Sequence, residues 1–230
     1  MKSNRKTARI VGVLIITALG SSMFSGVFLE SINSPDYLTA VTANGDKVLI
    51  GVLFMVTLTV SVVAIPIVMF PIFKEYSESL ALGYVVSRIF EGISDAVIAL
   101  SYLLLLTLSR EFVAVVAPVA SNFQTYGALL HALNHWTSVL ENFPYGLGVL
   151  IFSYLLYQSE LVPRWISVWG LISATLLLTM GLLRMFSDSD SVVFLAIPII
   201  LNELVLAIWL ILKGFNSPAI ASESVKTAMN

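Results

Sequence analysis

The chain has 230 residues, 58% hydrophobic and only 11% charged, with mean hydropathy +0.94, whereas a soluble domain carries about 25% charged residues; composition alone places it in the membrane class. A net charge of −2 gives no basic footprint for nucleic acid. The lack of cysteine excludes disulfides, thiolate nucleophiles and cysteine metal sites, and two histidines leave little for an all-histidine cage.

Crossing the hydrocarbon core takes about 20 mostly apolar residues in a helix. Six stretches qualify, at 8–29, 47–73, 80–107, 125–157, 163–186 and 192–213. Helices are expected because each satisfies its own backbone hydrogen bonds in lipid, and the runs far exceed a barrel strand of about 10 residues. The fold class expected is therefore all-α: a polytopic bundle of six transmembrane helices, occupying residues 1–214, with a polar, disordered tail over 215–230.

In the first run, Lys2, Arg5, Lys6 and Arg9 precede the apolar stretch as they would in a secretory leader. The apolar character continues through Phe24, Val27, Phe28 and Leu29, which suits a retained helix better. Thr17, Ser21 and Ser25 recur every four residues, a spacing for close helix packing inside the bundle or on a homodimer face. In the loop that follows, Ser34 and Pro35 form an N-cap and N1 pair and Asn44-Gly45 a stop, predicting a short helix on the outer face. Pro66 and Pro71 are expected to bend or end the second span, and Pro144 and Pro198 to free the carbonyls of Leu140 and Phe194.

Lys and Arg set the orientation. With a cytoplasmic N-terminus, Lys2, Arg5, Lys6, Arg9, Lys74, Arg164, Lys213 and Lys226 lie inside, and Lys47, Arg110 and Arg184 outside. That excess places both termini in the cytoplasm. Trp165, Trp209 and Tyr157 then fall near inner helix ends, as an aromatic belt does.

Ionisable residues inside the spans point to the function. On the third, Arg88, Glu91 and Asp95 share an arc of about 60° at 100° per residue. They must face the bundle, since a charge facing lipid costs at least about 2.5–3.5 kcal/mol. Rise per residue puts Asp95 and Glu203 about 17 Å and His135 about 15 Å below the outer surface, in one layer. Arg88 offsets one of Glu91, Asp95 and Glu203. The two remaining negative charges call for a protonated carboxyl, a protonated His135 or a bound cation.

Several stretches carry a family resemblance: ARIVGVL near the start, SPDYLTAV in the first outer loop, ALGYVVSRIFEG entering the third span, SYLLYQSELVPRWISVWGLI across the fourth and fifth, and IPIILNELVLAIWLILKGF in the sixth. Together, over about 8–215, they resemble a bacterial family of small multi-pass membrane proteins, the domain-of-unknown-function 4386 family. The resemblance implies six helices in a bacterial cytoplasmic membrane and implies no activity or cofactor. Family members often read His-Asp-Trp where this chain has Asn134-His135-Trp136.

Three functional expectations follow, and the sequence names no cofactor for any of them. The first is a protein that binds or transports a small polar or cationic solute, or a proton, through Arg88, Glu91, Asp95, Asn202 and Glu203. The second is a structural or regulatory membrane partner, in which Arg88 and Glu91 pair three residues apart to fix packing. The third is an intramembrane metal-dependent hydrolase, with His131, His135 and Asp95 as ligands and Glu203 as base; no HExxH motif supports it.

Overall fold

The structure, a computed structural model, describes residues 2–114, 120–187 and 190–216. It is all-α: α1 (Lys2–Phe28), a 3-10 turn (Glu30–Asn33), α2 (Tyr37–Ala43), α3 (Gly45–Phe73), α4 (Glu78–Ala114), α5 (Ala120–Ser159), α6 (Arg164–Phe186), a second 3-10 segment (Asp190–Ala196) and α7 (Ile197–Leu212). Among the described residues, six helices are long and apolar enough to cross a membrane. They are α1, α3, α4, α5, α6 and the span Val192–Leu212 that contains α7. The protein is a multi-pass membrane protein whose outer faces suit a bilayer: Val60, Ile67, Phe90 and Ile172 are all more than half exposed.

The six spans close into a ring. Each packs on its chain neighbour, α1 on α3, α3 on α4, α4 on α5, α5 on α6 and α6 on α7, and α7 returns to α1. Neighbours are antiparallel. On α4 and α5, Tyr84 stacks on Phe152 at one level, and Ser101 accepts from Asn134 Nδ2 at 3.0 Å at another. We call the end holding Arg5, Phe73, Glu78, Ser159 and Leu212 the base, and the opposite end the top.

Lipid offers no hydrophobic reward for helix association, so close packing must hold the ring shut. At Gly12, an added Cβ would lie 2.8 Å from the Ala207 carbonyl oxygen and 2.7 Å from Ile211, which brings α1 against α7 at the base. Ser21 and Ser25 of α1 are also buried in the bundle. The base is filled by a large apolar core that includes Val11, Phe73, Tyr84, Phe152, Leu155 and Leu210. A smaller core at the top joins Leu29, Ile32 and Val41 to Val48, Met55 and Leu105.

Several local expectations need correction. The outer helix begins at Tyr37 with Asp36 at its N-cap, two residues later than the Ser34-Pro35 pair suggests. Ser34 instead ends the 3-10 turn, extended at φ −67° and ψ 144°, as the residue before a proline prefers. The stop at Asn44 holds, its Nδ2 donating to the Ala40 carbonyl at 2.9 Å. Pro66 and Pro71 lie within α3, which runs on to Phe73. Pro198 stands in the first turn of α7, where its missing N–H costs nothing, rather than in mid-helix. After α7, Phe215 is buried and Asn216 bonds to the Glu160 and Leu161 carbonyls. The rest of the expected tail, 217–230, lies outside the described residues.

Candidate functional site

All six spans contribute to the wall of a cavity of about 330 Å³ inside the ring. It sits above the aromatic cluster of the base. There the Phe73, Tyr84 and Phe152 rings meet with centroids 5.1 to 6.1 Å apart.

Helix α4 supplies the charged wall. Arg88, Glu91 and Asp95 stand one turn apart on its inner face, each at most 5% exposed. Arg88 Nη1 donates to both Glu91 Oε1 and Oε2 at 2.9 Å. Its Nη2 lies 3.9 Å from Glu203 Oε1 on α7. The guanidinium carbon is 5.6 Å from the Tyr84 ring centroid and 5.2 Å from that of Tyr145, a cation–π setting. Room for it comes from Gly148 on α5, where a Cβ would stand 3.2 Å from Arg88 Nε. Tyr145 is also placed to donate its phenol proton to Glu203.

Above this network the arrangement opens into a second charged level. Glu141 on α5 faces Asp95 and Glu91 of α4 and Arg184 of α6 across the cavity. Four carboxylates, Glu91, Asp95, Glu141 and Glu203, therefore share one cavity with two guanidiniums, Arg88 and Arg184. When all are ionised, two negative charges stand in excess. Three buried polar atoms on the same wall have no protein partner: Asp95 Oδ2, Arg88 Nε and the Tyr84 hydroxyl. Buried polar atoms are almost always paired, with protein or with water.

The expected site residues divide. The structure brings Arg88, Glu91, Asp95, Asn202 and Glu203 to one cavity. Asn202 is committed to packing, because its Nδ2 donates to the Ile166 carbonyl at 2.9 Å and ties α7 to α6. His131 and His135 are not in the cavity wall. His131 lies edge-on to Tyr37 of the outer helix at 4.6 Å, and His135 is exposed beside Trp136. The expected metal set is thus not assembled, and among the described residues no three His, Asp or Glu side chains converge on a metal position. The reason is register: Asn134 bonds to Ser101, six residues beyond Asp95 on α4, so both histidines stand towards the top and away from the charged layer.

Sequence reasoning missed Glu141, Arg184, Tyr84 and Tyr145. Arg184 was counted only among the outside charges, but it stands in the last turn of α6 and borders the cavity. Glu141 is a carboxylate inside the fourth apolar run, and that alone could have flagged it.

A model of the family described as Domain of unknown function (DUF4386) matches residues 10–214, and the chain belongs to that family. No curated protein and no solved structure matches it.

Proposed function

We propose that this member of the DUF4386 family binds or transports a small cationic solute, or a proton, in the bacterial cytoplasmic membrane, with both termini on the cytoplasmic side. The observation that carries this reading is Asp95: it is 3% exposed, its Oδ2 has no protein partner, and it faces a cavity with two excess negative charges. An unpaired carboxylate at this depth is costly, and a cation or a proton removes the cost.

The residues take separate parts. Arg88 neutralises Glu91 and steadies Glu203, so that pair of contacts is structural. Asp95 and Glu141 hold the cation. The purely structural alternative accounts for Arg88 and Glu91 and leaves Asp95 without a role. Binding needs only the cavity. Transport also requires the Phe73–Tyr84–Phe152 cluster to part, since it seals the route to the base.

The test is a thermal-shift screen of the protein in nanodiscs against ammonium, small amines and alkali cations, from mildly acidic to mildly alkaline pH. At least one cation should raise the melting temperature of wild type and not of Asp95→Asn. Equal responses from the two proteins would overturn the reading.

A further inference from the structure

We infer that the cavity is entered sideways from the lipid, between α1 and α7, and that its ligand is an amphiphilic ammonium, a cationic nitrogen carrying an aliphatic body. The inference rests on the cationic reading above and adds the ligand's class and its route.

The seam between α1 and α7 is closed at the base and open above it. One face of α7 carries Ala207, Glu203 and Ile200, and Ala196 at the end of the preceding 3-10 segment continues it. At Ala207 this face is pressed against Gly12 of α1. One to three turns higher, Glu203, Ile200 and Ala196 all line the cavity. The matching face of α1 behaves alike: Gly12 is tight, while Ile15, Leu19 and Ser22 line the cavity. Ser22 and Ile200 are also exposed, Ile200 by 48%. A residue that borders the cavity and is also open to the exterior marks a passage. Ser22 lies about 9 Å below the end of α1 at Phe28, so the exterior it meets is hydrocarbon.

The cavity walls match such a ligand. Every charge stands on α4, α5, α6 or α7. Apart from Ser22, the α1 and α3 side is aliphatic, with Ile15, Leu19, Leu58, Val62 and Ile65. A hydrophilic cation would use one wall and leave the other against water. An ammonium with an aliphatic body satisfies Asp95 with its nitrogen and covers the aliphatic wall with its chain. Glu203, with its side chain 17% exposed, stands on the seam itself and offers the entering nitrogen a carboxylate at the threshold.

Two radiolabelled probes, octylammonium and tetramethylammonium, are titrated into the protein in nanodiscs, with Asp95→Asn as the background for partition into lipid. Wild type should bind octylammonium about tenfold or more tightly than tetramethylammonium. Ile200→Trp and Ser22→Trp narrow the seam at lipid-facing positions where a tryptophan folds readily. They should slow octylammonium association about tenfold, while Ile197→Trp, exposed on the same helix but outside the cavity, should not. Equal association rates of octylammonium in the seam variants and wild type overturn the lateral route. Asp95-dependent binding of tetramethylammonium alone overturns the amphiphile and keeps the cation site. No Asp95-dependent binding of either probe overturns the site reading itself.

Discussion

Arg88 grips Glu91 through a single nitrogen, Nη1 donating to both carboxylate oxygens at 2.9 Å, with both side chains almost wholly buried. The next acid on the same face, Asp95, is one turn on and has no such partner for Oδ2. Two carboxylates on one helix face therefore have opposite energetics, and mutation separates them.

Removing one member of the Arg88–Glu91 pair strands the other. Arg88→Met leaves Glu91 buried and unpaired and should cost about 3 kcal/mol or more of unfolding free energy. Glu91→Gln should cost less, because Arg88 keeps Glu203 at 3.9 Å. The double variant should lose less than the sum of the singles. Reversible unfolding in mixed micelles reads all three.

Asp95→Asn should behave in the reverse way. It breaks no contact to Oδ2 and removes one of the two excess charges. Its melting temperature should equal or exceed that of wild type without ligand. A clear fall would mean that Asp95 is structural.

Asn202 belongs to the scaffold. Asn202→Leu loses the bond to the Ile166 carbonyl and should cost about 1 kcal/mol. Cation affinity in this variant, measured below its melting temperature, should stay close to that of wild type.

The α1–α7 contact predicts a contrast between two glycines of one helix. Gly26→Ala meets nothing within 4 Å and should be neutral or stabilising by up to about 1 kcal/mol from helix propensity. Gly12→Ala drives its Cβ against the Ala207 carbonyl and should destabilise by about 2 kcal/mol despite the same propensity gain. Equal effects would mean that the helices do not touch there.

The six spans were legible because length and apolarity alone specify a membrane helix. Arg88, Glu91 and Asp95 were legible as one face because helical periodicity fixes their mutual angle. Which face of α5 or α6 turns inward was not, because polar residues stand on more than one side of α5 and most of α6 is apolar all round. Hence Glu141 and Arg184 were passed over, and His135 was placed in a layer it does not share. Depth failed for a related reason: α5 has 40 residues, more than a membrane needs, so its register depends on contacts with α4 and α6 rather than on its own composition.

The most direct measurement is isothermal titration of tetramethylammonium and octylammonium into wild type and Asp95→Asn, with both proteins shown to melt at comparable temperatures. The account predicts one saturable site in wild type and none in Asp95→Asn. Saturable binding of the same affinity in both proteins, or in neither, would contradict a cation site at Asp95.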